Sequence, residues 1–148
     1  MELKIKKLVP EAELPQKAHE SDAGFDLVAV SKTLDENGNV VYGTGLAMEI
    51  PEGYVGLVFP RSSIAKKDVS LSNAVGVIDP GFRGEVMAKF KMAVRRTEAG
   101  VTFLDEEYQV GERIAQLVIM KLPDIQIVES EDLSESDRGE GGYGSSGM

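Results

Sequence analysis

The side chains best placed for chemistry lie where apolar runs end in tight turns. Asp79 follows the largely apolar residues 74–78, and Pro80 and Gly81 come directly after it. A carboxylate held at a strand end by such a turn can act as a general base. The same pattern is typical of an Asx turn, in which the aspartate only stabilises the chain reversal. These residues alone leave both interpretations open.

A second group of polar side chains follows another apolar run. Arg61, Ser62 and Ser63 precede Ile64, and only residues 62–67 of the chain can begin a helix. A guanidinium and two hydroxyls beside the backbone amides of a helix start favour an anion site. The alternative is a plain helix N-cap with a surface arginine.

Two further segments carry isolated polar groups. Asp26 lies in an Ala-Gly-Phe-Asp-Leu context and can hold a hydrated Mg²⁺ or serve as a surface loop acid. Gln116 interrupts the apolar residues 114–120, where a buried amide needs hydrogen-bond partners. Arg113 and Gln116 are each compatible with a structural role. Phe82 is expected either in the core or against a ligand.

The C-terminal residues 138–148 combine five glycines with Arg138, Tyr143 and two adjacent serines. The glycines make this segment costly to order and unable to bury a core. Arginine binds phosphate, and an aromatic ring stacks on a base. The segment therefore predicts a lid that becomes ordered on a nucleotide, with a solvated disordered end as the alternative.

Composition limits the remaining possibilities. The chain has 148 residues, which suits one domain, and it has no cysteine, which excludes disulfides, thiolate metal sites and a thiol nucleophile. Its net charge of −9 disfavours non-specific nucleic-acid binding. No apolar run approaches the length of a membrane span, and the N-terminus lacks the apolar core of a signal peptide. We therefore expect a soluble cytoplasmic protein that binds neither nucleic acid nor membrane.

The polar groups must be positioned by strands, because the apolar period is two. Alternation is clearest over residues 85–94, and residues 114–120 are expected to be buried on both faces. The turn at 36–39 predicts a hairpin, and Ile125 and Ile127 indicate a last strand. Many short strands with regular turns predict an all-β sandwich or barrel. We expect this domain to cover 1–128, followed by an acidic tether and Gly-rich tail over 129–148.

Five segments, in this order, resemble the five motifs of the trimeric deoxyuridine triphosphatases (dUTPases). The resemblance covers nearly the whole chain, and its most specific parts are the third, fourth and fifth segments. The segments are residues 21–27, 60–65, 73–84, 111–117 and 138–147.

The resemblance implies a β jelly roll that forms a homotrimer with active sites at the subunit interfaces. It implies hydrolysis of dUTP to dUMP and pyrophosphate with Mg²⁺, an activity that limits uracil in DNA and supplies dUMP. By motif, Asp79 would activate the attacking water and hold the 3′-hydroxyl, and Asp26 would contact Mg²⁺ through water. The other positions implied to bind substrate are Arg61, Ser62, Ser63 and Gln116 near the phosphates; Asn73, Val77, Ile78, Phe82 and Met87 around the base and sugar; and Arg138, Tyr143, Gly144, Ser145 and Ser146 in the tail.

Several residues depart from the family pattern. Phe82 stands where the family usually has Tyr, and Ser63 stands where it usually has Gly. Ser63 gives the second motif a likeness to the dCTP deaminases, which share the fold. Lys89, however, occupies the position of the deaminase's catalytic glutamate, ten residues after Asp79. A nucleotide- or protein-binding trimer without turnover is the alternative of another class.

Overall fold

The computed structural model describes residues 1–103 and 107–142, which are almost entirely strands joined by tight turns. Eleven strands lie in these residues, together with one short 3-10 helix, Ser62–Lys66. The prediction of an all-β jelly roll is confirmed. The two main sheets are open and pack face to face, so the domain is a sandwich rather than a closed barrel.

The larger sheet is built around the long strand β4. One edge of β4 pairs with β1 and then with β3, and its other edge pairs with β8, which pairs in turn with β6. All of these pairings are antiparallel. The strands of this sheet are β1 (Lys4–Lys7), β3 (Ser31–Leu34), β4 (Asn39–Glu49), β6 (Val69–Leu71) and β8 (Glu85–Met92).

The smaller sheet has the order β2-β11-β5-β7, and its pairings are also antiparallel. It brings together strands that are far apart in sequence, and every predicted motif up to residue 117 touches it or its loops. Its strands are β2 (Phe25–Val28), β5 (Tyr54–Pro60), β7 (Gly76–Ile78) and β11 (Arg113–Lys121), and a separate pair is formed by β9 (Val94–Thr97) and β10 (Gly100–Phe103).

One apolar core fills the space between the two sheets. On β8, Val86, Ala88 and Phe90 are buried while Met87 and Lys89 are exposed, as the alternation predicts. The ring of Phe90 lies edge to face with that of Tyr42, with centroids 5.6 Å apart. Burial raises the pKa of Tyr42, so its hydroxyl stays protonated and donates a hydrogen bond to the buried backbone.

The hairpin predicted at 36–39 is confirmed as the β3–β4 connection. The amide of Gly38 donates to the carbonyl of Asp35, and Gly38 has a φ of +76°. The Asp35 carboxylate accepts hydrogen bonds from the backbone amides of Asn37 and Asn39, at 3.0 and 2.8 Å. These bonds, that of the Asn39 backbone first, lower the pKa of Asp35 to about 2.

The prediction of a last strand at Ile125 and Ile127 is wrong for the single chain. Ile125 and Ile127 are 71% and 93% exposed, and residues 122–142 contain no strand in the part of the chain that the structure describes. The strand β11 is buried through Leu117 but exposes Met120, so burial on both faces holds only for its first half. A strand needs a neighbouring edge for its backbone hydrogen bonds, and no described residue of this chain pairs with residues 125–127.

None of the helical structure in the described residues has the length and apolar character that a membrane-spanning helix requires.

Candidate active site

A cavity of about 420 Å³ opens between the two sheets, where the edge strand β7 faces β8. Its volume is in the range typical of small-molecule sites. It brings together six residues that the sequence analysis assigned to base, sugar and water: Asn73, Val77, Ile78, Asp79, Phe82 and Met87.

Asp79 lies at the exposed end of β7, directly before a tight turn. The turn is closed by the amide of Phe82, which donates to the backbone carbonyl of Asp79 at 3.1 Å. The Asp79 carboxylate makes no hydrogen bond to any described residue, so the Asx-turn alternative does not apply. Its oxygens remain available to a water molecule or a hydroxyl.

The walls of the cavity expose apolar side chains to solvent. Val77, Phe82 and Met87 are 63%, 42% and 50% exposed, although each stands in or beside a strand of the core. The ring of Phe82 lies over Gly84, where an added Cβ would come within 2.8 Å of Cζ. Apolar surface grouped in this way is typical of a site that a ligand or another chain covers.

A bulge in β4 supports the cavity from behind. The register between β4 and β8 shifts between Gly43 and Ala47, and Gly45 has a φ of +65°, which favours glycine. The freed amide of Gly45 donates to Oε1 of Glu85 at 2.8 Å, and Glu85 lines the cavity. The buried Thr44 hydroxyl donates to the carbonyl of Val86 at 2.7 Å.

A separate polar group forms on the smaller sheet. Strands β2, β11 and β5 lie side by side, and Gln116 is in register with both Asp26 and Phe59. Arg61 Nε donates to Oδ1 of Asp26 at 2.6 Å, and Arg113 Nη1 donates to Oδ2 at 3.1 Å. Both carboxylate oxygens therefore hold an arginine in place.

Gln116 and Ser63 complete this group. Gln116 is half-buried, and its Nε2 donates to the Pro60 carbonyl at 3.0 Å, so the amide has a hydrogen-bond partner. Gly24 makes room for it, because a Cβ there would lie 2.5 Å from Gln116 Oε1. Ser63 Oγ accepts a hydrogen bond from Arg61 Nη1 at 3.2 Å. Ser62 is exposed at the start of the 3-10 helix, whose first turn has no side-chain cap.

The two groups of residues lie at opposite ends of the same sheet. Gly56 pairs with Ile78, so Asp79 comes level with Val55, whereas Ser62 and Ser63 follow Pro60. The five steps from Val55 to Pro60 span about 17 Å along β5. Asp26 is three strand spacings from β7, or about 14 Å across the sheet. One chain therefore does not bring Asp79 to Ser62 or Asp26.

The tail residue Arg138 is exposed and contacts its own segment. Its Nε donates to the Gly141 carbonyl at 2.7 Å, and among the described residues it makes no hydrogen bond or ion pair with either of the two groups. Tyr143, Gly144, Ser145 and Ser146 lie outside the described residues.

The donor set around Asp26 fits a hydrated Mg²⁺ that a polyphosphate carries with it. In the described residues, no three His, Asp or Glu side chains come close enough to hold a metal ion by themselves. Mg²⁺ commonly keeps several waters and binds one or two carboxylates together with substrate phosphates. Asp26 supplies one such carboxylate, and because both of its oxygens already accept hydrogen bonds from arginines, its contact with the ion would be made through water.

The structure adds residues that the sequence analysis had not assigned to the site. Glu85 and Lys89 line the cavity, and Lys17 and Arg113 line a hollow of about 300 Å³ beside Asp26. The position of Lys89 on the exposed face of β8 follows from the period of two. The proximity of Arg113 to Asp26 depends on the pairing of β2 with β11, which no local pattern encodes.

Comparison with known sequences gives a consistent result. The family model described as dUTPase matches residues 10–147. The "Deoxyuridine 5'-triphosphate nucleotidohydrolase" of Rhodococcus erythropolis is 39% identical, with 99% of this chain and 87% of the relative covered. The protein of the same name from Clostridium acetobutylicum is 40% identical, with 99% and 97% covered.

Solved structures show the same relationship. A mutant of the Staphylococcus bacteriophage 80alpha dUTPase, solved with dUpNHpp, superposes with a TM-score of 0.82 at 30% identity, with 99% of both chains covered. A mutant dUTPase from phage phi11 of S. aureus, reported with a structural Mg(II) ion, has a TM-score of 0.70 at 26% identity and covers 89% of this chain and 98% of its own. A match over 138 of 148 residues, with relatives near 40% identity along the whole chain, places this protein in the dUTPase family.

Proposed function

We propose that this protein hydrolyses dUTP to dUMP and pyrophosphate. The observation that carries the proposal is the cavity between β7 and β8, which gathers Asn73, Val77, Ile78, Phe82 and Met87 around an exposed and unbonded Asp79. A deoxynucleoside fits a cavity of this volume, and polar lining residues such as Asn73 offer hydrogen-bond partners to its base. The names of the relatives point to the same substrate.

In the proposed reaction, Asp79 accepts a proton from a water molecule whose oxygen attacks the α-phosphorus. The bond between that phosphorus and the bridging oxygen breaks, and pyrophosphate leaves with the bonding electrons. Phosphoryl substitution depends on positioning and charge neutralisation rather than covalent catalysis. Asn73 and the backbone around Val77 and Ile78 would hold the uracil, and the ring of Phe82 would crowd a ribose 2′-hydroxyl.

The phosphates would bind at the second polar group. Arg61, Ser62, Ser63 and Gln116 offer a guanidinium, two hydroxyls and an amide within a few residues of the sheet's end. Asp26 would contact Mg²⁺ through water, and the ion would neutralise part of the phosphate charge. The proposed roles require these groups to meet Asp79 around one nucleotide.

We further propose that the working form is a homotrimer in which different subunits supply the two halves of each site. The separation of about 17 Å along β5 supports this, because the α-phosphate must lie near both Asp79 and Ser62. Exposed apolar side chains in residues 122–133 also favour a further chain as a partner, with Ile127 93% and Leu133 91% exposed. Light scattering should give about three times the chain mass of 16.0 kDa.

The tail is proposed to close the site. Residues 1–128 would form the folded domain, and residues 129–148 would form a tether and a lid whose Arg138 binds the γ-phosphate. Tyr143 would stack on uracil while Gly144, Ser145 and Ser146 cover the phosphates. Closing such a lid removes competing water.

The absence of cysteine is in keeping with the cytoplasmic location that we assign to this activity.

A nucleotide panel tests the proposal. The protein is incubated with Mg²⁺ and dUTP, dCTP, UTP or dTTP, and both pyrophosphate and ammonia are measured. We expect pyrophosphate and dUMP from dUTP, and little product from UTP. Ammonia from dCTP would indicate a deaminase, although Lys89 stands where that enzyme needs a carboxylate. No product from any nucleotide would favour a binding protein.

A further inference from the structure

Ser63 links the phosphate-binding arginine to the core of the domain. Its Oγ lies 3.2 Å from Arg61 Nη1 and 3.5 Å from the hydroxyl of Tyr108. Arg61 is therefore held at two nitrogens, with Nε bound to Asp26 and Nη1 bound to Ser63. Among the described residues, Nη2 of Arg61 has no hydrogen-bond partner and remains available to an anion.

The group behind Ser63 is rigid. Tyr108 is 2% exposed, and its ring packs against Phe90 and Tyr42 with centroids 5.6 and 6.3 Å away. Its carbonyl accepts the Tyr42 hydroxyl at 2.7 Å, and Lys67 Nζ lies 5.2 Å from the ring centroid. A hydroxyl anchored beside these rings has little freedom, so it fixes the group that it binds.

The second point of attachment matters because Asp26 is shared. Its Oδ2 accepts a hydrogen bond from Arg113, which is 54% exposed, while Oδ1 holds Arg61. Without the Ser63 hydroxyl, Arg61 would keep a single bond to a carboxylate that a second cation also uses. A long side chain held at one point loses more conformational entropy when it binds a ligand than one held at two points.

We propose that Ser63 is a positioning residue that orients the Arg61 guanidinium for the triphosphate. This inference rests on the proposed function, but it replaces the direct phosphate contact given to Ser63 there with an action through Arg61. It implies that Ser63 affects the affinity for the phosphate chain and leaves the base and sugar cavity unchanged. A glycine at this position has no hydroxyl, so Arg61 would lose its hydrogen bond at Nη1.

The test compares Ser63→Ala, Ser63→Thr and the control Ser70→Ala, an exposed serine on β6. We expect Ser63→Ala to raise the KM for dUTP and the Kd for dUpNHpp about three- to tenfold, the range that one hydrogen bond carries. Inhibition by deoxyuridine, which has no phosphate, should change less than twofold. Ser63→Thr, which keeps the hydroxyl, should restore most of the affinity, and the control should match the parent.

A double-mutant cycle with Arg61→Ala separates positioning from direct contact. In the Arg61→Ala background, removing the Ser63 hydroxyl should change dUpNHpp affinity by less than twofold. Additive losses would overturn the inference, as would an equal loss of deoxyuridine binding. If Ser63→Ala does not fold, Ser63→Cys replaces it, since a thiol is a much weaker hydrogen-bonding group. A parent protein that does not hydrolyse dUTP would instead refute the proposed function, which the parent assay shows by itself.

Discussion

Asp79→Asn changes the proton-accepting capacity of one exposed side chain and little else. The carboxylate makes no hydrogen bond to a described residue, and the turn after β7 is held by the Asp79 backbone. Exposed substitutions without such contacts usually alter stability by less than about 0.5 kcal/mol. The free energy of unfolding should therefore stay close to that of the parent.

The effect on turnover should be much larger. Loss of a general base typically lowers the rate by about 10²–10⁴-fold, which corresponds to about 2.7–5.4 kcal/mol in activation free energy. The Kd for dUpNHpp should stay within a few-fold, because the apolar cavity and the Arg61 group are unchanged. The loss is thus expected in kcat rather than in binding.

The assay measures kcat from pyrophosphate release, and Kd by titration with dUpNHpp, on the same folded preparation. Glu36→Gln, at an exposed glutamate in the turn between β3 and β4, is the control for loss of one surface carboxylate and should behave as the parent does. Turnover of Asp79→Asn within tenfold of the parent would refute the assignment of Asp79 as the base. A comparable fall in the control would show that lost surface charge, rather than a lost base, is responsible.

Three further predictions concern other parts of the molecule. Gly24→Ala places a Cβ 2.5 Å from Gln116 Oε1, so the Gln116 side chain must move away from the Pro60 carbonyl. We expect kcat/KM to fall at least about tenfold and the free energy of unfolding to fall by about 1 kcal/mol. Unchanged kinetics would contradict the role of Gln116. The Asp35 carboxylate, with its pKa lowered to about 2, stabilises the fold above pH 4 and loses this effect as the pH falls toward 2. The Tm difference between the parent and Asp35→Asn should therefore shrink over that range. A constant difference would exclude a link between the ionisation of Asp35 and stability. Deletion of residues 138–148 should abolish activity while Tm and oligomer mass are retained, and a large drop in Tm would show a structural role for the tail.

Much of the strand content follows from local sequence. Alternation of apolar and polar residues over 85–92 fixes which side chains of β8 face the core, because successive strand residues point to opposite faces. The turn residues at 36–39 likewise encode the β3–β4 hairpin. The failed strand at 125–127 shows the limit of this reasoning, because a strand also needs an edge to pair with.

The sequence by itself determined the family motifs and the types of side chain available for chemistry. The family resemblance implied that Asn73, Phe82 and Met87 share one part of the site, and all three line the cavity between β7 and β8. Their roles in binding remain predictions. Residues close in sequence stay close in space, so motifs within one turn or hairpin can be interpreted locally.

Only the tertiary structure decided which distant residues meet. The pairing of β2 with β11 brings Arg113 within hydrogen-bond distance of Asp26. The bulge in β4 leaves the Gly45 amide free to donate to Glu85. The pairing of β5 with β7 places Asp79 and Ser62 at opposite ends of one sheet. The physical reason is that strand order and register arise from the packing of the whole core, whereas a local pattern specifies only the period and the buried face.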